Sequence, residues 1–223
     1  MALQVAFLLY DRFTTLDAVG PYEVLVQLPD VEPVFVAEQA GPVRNDAGGR
    51  NDSGACEIVA ERSIDDVPSP DMLLVPGGLS TRDFLGHEPI LEWIRGAHEG
   101  SRYTTSVCSG ALLLAAAGVL DGLQATTHWL ARDLLATYRV DVVEDRVVEQ
   151  GKVITAAGVS AGIDMALRIV QMIYGDDVAR AVQLGIEYDP KPPFDAGAPE
   201  KVSDELVAAV RGSMMARGTN WTP

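Results

Sequence analysis

The amino-acid sequence predicts an α/β protein built on a doubly wound, mostly parallel sheet with helices on both faces. Three observations carry this. Gln4–Leu9 and Met72–Val75 are continuous apolar runs, as strands buried on both faces of a parallel sheet require. Such runs alternate along the chain with stretches of helical spacing, the order that yields βαβ units. Twice, at Thr104–Gly110 and at Thr155–Gly162, a short β-branched run ends in small residues and passes directly into helix-forming sequence. With 223 residues the chain suffices for one such domain and is marginal for two, so 1–223 is read as a single domain.

Gln4–Leu9 is the first strand. Pro21 fits a first helical turn, and Tyr22–Leu28 continues with helical spacing. Asp17 is therefore expected in the loop after the strand or at the helix N-cap, where Asp is a common residue. Either position lies on the carboxyl edge of the sheet, where open α/β folds bind ligands. Val34–Ala37 is a second short strand. Residues 41–66 turn polar and Gly-rich, which predicts a β-hairpin or flap, with Cys56 a structural residue of its returning arm.

Pro70–Gly78 is another buried strand, ending in the diglycine Gly77-Gly78 after Pro76. Two glycines can take backbone conformations closed to other residues and turn N–H groups toward a ligand, although an ordinary loop reads the same way. Glu88–Glu99 is an amphipathic helix through Ile90, Leu91, Trp93, Ile94 and Ala97. Then Thr104–Val107 stops at Cys108-Ser109-Gly110, and an Ala/Leu run of good helix formers follows at once. A cysteine on a strand-to-helix turn resembles the nucleophile-bearing turn of hydrolases, with Cys in place of Ser. The helix N-terminus beneath it is expected to favour thiolate over thiol. A small buried hydrophobe is the competing reading, since free Cys is among the most buried residue types.

Gly118 and Gly122 close that helix, and Leu130–Tyr138 is helical. Val140–Val143, Val147-Val148 and Val153–Ala156 are short strands. Ile163–Tyr174, Asp176–Glu187 and Ser203–Arg217 are helices, the last reached through a Pro-rich link within 190–217.

Composition narrows the partners. Seventeen basic against 32 acidic residues give a net charge of −15, which argues against nucleic acid and anionic membranes. Two cysteines and three histidines are too few and too scattered for a disulfide framework or a transition-metal site. The N-terminal apolar run lacks a basic flank and stops at Asp11, so it reads as a strand rather than a signal peptide. Ala111–Leu120 is far short of the roughly 20 residues that span a bilayer. A reducing cytoplasm is the expected location.

Five ordered motifs then carry a resemblance: Leu16-Asp17-Ala18-Val19-Gly20-Pro21, Val75-Pro76-Gly77-Gly78, Ser106-Val107-Cys108-Ser109-Gly110, Ala125-Thr126-Thr127-His128-Trp129 and Thr155-Ala156-Ala157-Gly158. Together, over nearly the whole chain, they resemble the PfpI/ThiJ (DJ-type) superfamily, whose fold is flavodoxin-like and class I glutamine amidotransferase-like. Within it the chain is most similar to the isocyanide hydratases, the branch with an aspartate after the first strand. That resemblance implies a homodimer that hydrates an isocyanide, R–N≡C, to R–NH–CHO without metal or organic cofactor. Cys108 would be the nucleophile and Asp17 its acid/base partner. The Gly77 and Gly78 amides, with the Ser109 hydroxyl, would be polar donors. Such chemistry asks for a protonated Asp17 beside a charged thiol, or one proton shared between them.

Thr127, Trp129 and Ile186 are candidate pocket residues, while His128 is expected to order a loop or cap the following helix. Ser109 stands where amidotransferase-like members put or recruit a histidine, so a Cys-His triad is not supported. Glyoxalase-type or deglycase-type members use Glu where Asp17 stands; a cysteine redox sensor and a ligand-sensing domain are the other readings. AraC-type regulators append a basic helix-turn-helix to a similar domain, and no such basic segment is present in these residues.

Overall fold

A computed structural model describes residues 2–46 and 55–217. In chain order the elements are β1 (Leu3–Leu8), α1 (Thr15–Leu25), β2 (Val31–Ala37), β3 (Gly41–Arg44), β4 (Glu57–Ala60), β5 (Arg62–Ser63), β6 (Met72–Val75), α2 (Glu88–Gly100), β7 (Tyr103–Val107) and α3 (Gly110–Ala116). They continue with β8 (Gln124–Ala125), α4 (Arg132–Leu135), β9 (Asp141–Val142), β10 (Val147–Gln150), β11 (Val153–Ala156), α5 (Ala161–Tyr174), α6 (Asp176–Gly185) and α7 (Asp204–Ala216). The main sheet runs β10-β11-β7-β6-β1-β2-β5, parallel throughout except for the antiparallel β10–β11 pair. Its centre, β2-β1-β6-β7-β11, is the flavodoxin-like strand order, and the chain changes direction of travel at the β1/β6 junction.

Side chains alternate across this sheet, so the apolar runs feed two cores. Ala6, Leu8, Leu73 and Val75 face the layer containing α2, α3 and α4, while Val5, Phe7, Met72 and Leu74 face the α1/α5 layer. Full burial of each large residue is worth roughly 1.5–3 kcal/mol. Close approach of α1 to α5 needs small residues: a Cβ on Gly162 would meet Pro21 Cγ and Val107 Cγ2 at 3.1 Å. Among the described residues no helix is long and apolar enough to cross a membrane.

Several local expectations shift. Helix α1 begins at Thr15, so Asp17 lies in its first turn and Pro21 lies inside the helix rather than at its start. A broad buried face holds α1 together across the amide that proline lacks: Asp17, Ala18, Gly20, Pro21, Val24 and Leu25 are all buried. The hairpin arms pair as expected, Gly41 opposite Ala60 and Arg44 opposite Glu57, while residues 47–54 between them lie outside the described residues. The Cys56 side chain is exposed, not packed; its backbone N–H and C=O are the parts in use, bonded to Asn45. The helix expected over 130–138 shortens to a 3-10 turn and the single turn α4.

Candidate active site

The carboxyl edges of β1, β6, β7 and β11 converge on Cys108. At the end of β7, Cys108 adopts φ 57°, a left-handed conformation costly for a residue with a Cβ. Its surroundings hold it there. The Cys108 N–H donates to the carbonyls of Ala156 (3.1 Å) and Ala157 (2.8 Å), and the Thr127 hydroxyl donates to the Cys108 carbonyl at 2.8 Å. Gly110 permits the turn, since a Cβ there would sit 2.2 Å from the Val75 carbonyl oxygen. Thr127 is thus buried behind the cysteine as a backbone support, not as a pocket wall.

Asp17 reaches the cysteine from α1. It is fully buried, and its Oδ2 accepts the Gly77 N–H at 2.8 Å. Oδ1 has no hydrogen-bond partner, and the carboxyl as a whole interacts with the Cys108 thiol. Burial pushes the Asp17 carboxyl up to about 8; the charge of Asp46 adds to this, and the Gly77 amide and the thiol oppose it. Burial, and then the neighbouring Asp17 charge, also push the Cys108 thiol up. Amides of Val159 and Ser109 and the Ser109 hydroxyl bond the sulfur and offset this in part. The expected thiolate-favouring helix terminus is therefore overruled: α3 offers one short helix end, and desolvation next to a carboxyl is the larger effect.

The diglycine also plays a part other than the expected one. The Gly77 amide holds Asp17, and the Gly78 amide donates to Ser109 Oγ at 3.1 Å, so both N–H groups point into the protein. No side chain fits at Gly77, where a Cβ would lie 2.5 Å from the Ser109 nitrogen. Ser109 Oγ is joined to Thr81 Oγ1 at 2.9 Å, and Thr81 to the buried Tyr10 hydroxyl at 2.9 Å, which donates to the Pro76 carbonyl. This chain of hydroxyls fixes the floor beside the cysteine.

A cavity of about 50 Å³ opens over Cys108, Ser109 and Gly78, walled by Thr14, Asp46, Leu79, His128, Val159 and Met214. His128 caps the following turn, its Nδ1 accepting the Leu130 N–H at 3.2 Å, which leaves the ring proton on Nε2. Burial, helped by the Arg132 charge, lowers the imidazole to about 4, so it is a neutral wall and a weak base. Asp46 accepts the Thr14 hydroxyl at 2.5 Å, and its carboxyl is also raised by burial.

Two expected pocket residues lie elsewhere. Trp129 faces away from the cysteine into a groove with Ala198, Pro199, Val202 and Val207, beneath Arg211. Ile186 caps the C-terminal end of α6, which packs on α5; it lies against the core cluster that includes Cys108 but is not one of the residues walling the cavity. Sequence reasoning missed Thr14, Asp46, Leu79, Val159 and Met214. Only Val159 had a signal, through its place in the second strand-turn-helix repeat.

A flavodoxin-like α/β fold with a cysteine on a strained strand-to-helix turn defines the class. Residues 3–172 match the DJ-1/PfpI family, and the chain belongs to it. Among its relatives, the isonitrile hydratase of Pseudomonas putida is 42% identical over 211 residues, covering 95% of this chain and 90% of that protein. A crystal structure of a ThiJ/PfpI family protein from Pseudomonas syringae superposes with a TM-score of 0.84 at 34% identity, over 99% of this chain and 92% of that one. The Parkinson disease protein 7 homolog of Danio rerio is 30% identical over 70% of this chain and 88% of its own length.

Proposed function

We propose that this chain hydrates isocyanides to N-formamides through a covalent Cys108 thioimidate, with Asp17 moving the protons and no metal or organic cofactor. The carrying observation is a fully buried Asp17 carboxyl that interacts with the Cys108 thiol and has one oxygen, Oδ1, without a hydrogen-bond partner. The 42% identity to an isonitrile hydratase over nearly the full length of both chains supports the same reading.

With both groups pushed up, neutral pH leaves a carboxylic acid next to a thiol. Neutral proton relay suits that state better than a preformed thiolate. Asp17 gives its proton to the isocyanide carbon while taking the thiol proton, and sulfur bonds to the same carbon, giving S–CH=N–R. Water then adds to that carbon. Asp17 passes a proton to nitrogen and receives one from the water, giving S–CH(OH)–NH–R. The hydroxyl proton returns through Asp17 to sulfur as the C–S bond breaks, releasing R–NH–CHO and the thiol. Every step leaves Asp17 protonated, so no buried charge has to persist. Gly77 positions the carboxyl, and Ser109 with the Val159 amide bonds the sulfur. The homodimer implied by the resemblance is part of this proposal.

The test is formamide production from ethyl isocyanide, followed by NMR, for wild type beside Cys108→Ala. Turnover in the wild type and none in the variant is the expected result. Formamide from neither, with lactate formed from methylglyoxal, would replace this reading with a glyoxalase.

A further inference from the structure

We propose that Met214 sets the size limit for the R group at the Cys108 cavity, so that the enzyme takes small, uncharged, apolar isocyanides. The inference rests on the hydratase reading for its substrate, though not for its geometry. The cavity of about 50 Å³ has room for only a few water-sized groups. The isocyano group fits; anything but a small R must extend past the residues at the cavity mouth.

Most of that wall is fixed. The Thr14 amide donates to the Gly77 carbonyl at 2.8 Å, and its hydroxyl holds Asp46. Leu79 is buried, the His128 ring accepts its capping N–H, and Val159 is carried on the backbone turn before α5 at φ 27°. Met214 differs because it is brought by α7, a helix with no fully buried residue. Val207, Arg211 and Met214 form the half-buried stripe of that helix, at i, i+4 and i+7, while Leu206, Val210 and Met215 are exposed.

The polar contacts of α7 and its C-cap lie at the surface, while Met214 packs against the core. Arg211 stacks over Trp129 at 5.3 Å, and Arg217 Nη2 donates to the Asp46 carbonyl at 3.4 Å. Met214 is thus an unbranched, adaptable side chain on a lightly tethered helix, and it is the part of the wall able to yield. Beside it, Leu79 and Val159 offer apolar surface, whereas the Asp46 carboxyl disfavours an anionic R.

The experiment reads access to Cys108 directly, in a Cys56→Ser background because Cys56 is exposed. Rates of Cys108 alkylation by iodoacetamide and by N-phenylmaleimide are measured for the parent, Met214→Ala, Met214→Phe and Met215→Ala. The phenylmaleimide-to-iodoacetamide ratio should rise about tenfold in Met214→Ala, fall in Met214→Phe and stay constant in Met215→Ala. The ratio of kcat/KM for p-nitrophenyl against ethyl isocyanide should move in parallel. An unchanged alkylation ratio in both Met214 variants overturns the proposal, as does an equal rise in Met215→Ala, which would report loosening of α7 alone. If alkylation shifts as expected while no isocyanide is turned over, the size limit stands and the hydratase reading falls.

Discussion

Two strand-to-helix turns stand side by side on the sheet edge, and they do different work from the same local recipe. The turn after β7 puts Cys108 at φ 57°, and the turn after β11 puts Val159 at φ 27°. Both use small residues, and both are followed by a helix. The first is closed in on every side: a Cβ on Gly110 would strike the backbone of β6, and α3 is buried from Gly110 to Ala115. The second is looser, since a Cβ on Gly158 would meet only the His128 ring, at 2.7 Å, and α5 is amphipathic. The rigid turn presents the proposed nucleophile and the softer one lends it an amide. A turn becomes catalytic through what faces it, and only the first has a buried carboxyl beside its side chain.

Removing that carboxyl should have the largest effect on the difference. Asp17→Asn keeps an acceptor for the Gly77 amide but cannot relay protons, so kcat/KM should fall by roughly 10²–10⁴. Stability should move the other way. A carboxyl raised from 3.8 to about 8 stabilises the fold fully at low pH and loses that contribution as pH rises through this window. Asn has no such loss, so the variant's Tm should exceed wild type by a margin that is small at pH 4 and grows toward pH 8. Each kcal/mol relieved is worth about 2–4 °C. A wild-type Tm equal to the variant's across that range would mean that Asp17 is not neutral in the fold.

Gly110→Ala attacks the rigidity of the first turn. The Cβ collides with strand backbone that cannot yield cheaply, so a loss of about 1–3 kcal/mol is expected in denaturant unfolding. An unaltered midpoint would show that this turn is as soft as its neighbour.

The pH profile tests which group carries the asymmetry. If the relay needs protonated Asp17, kcat/KM is flat through neutrality and drops about tenfold per unit above about 8. A profile that instead rises through this range would assign the reactive form to a thiolate and remove the neutral relay. The smallest effect belongs to Gly158→Ala. Turning the His128 ring should cost about 1 kcal/mol and change turnover by less than tenfold.

The fold was largely legible because burial on both faces writes itself into continuous apolar runs such as Gln4–Leu9 and Met72–Val75. The Cys108 turn was legible because a β-branched run broke on small residues before a helix. The arms of the hairpin were legible from the Gly-rich segment between them. Pro21 misled because proline usually marks a helix start, and here packing around α1 carries the helix through it. Trp129 does not wall the cavity, because nearness to a motif says nothing about which way a side chain faces. Thr14, Asp46 and Met214 had no local signal; the first precedes a helix, the second ends a hairpin arm, and the third sits far along an almost unburied helix.

What the sequence by itself determined is the parallel α/β sheet, the strained turn and the candidacy of Cys108 and Asp17. These follow from local rules: side-chain period, turn chemistry and helix propensity act over a few residues. Tertiary structure alone decided that Asp17 and Cys108 touch, that both are pushed toward neutrality, and that Met214 closes the cavity over them. Desolvation and contact depend on what the rest of the chain packs around a group, and separation along the chain does not encode that.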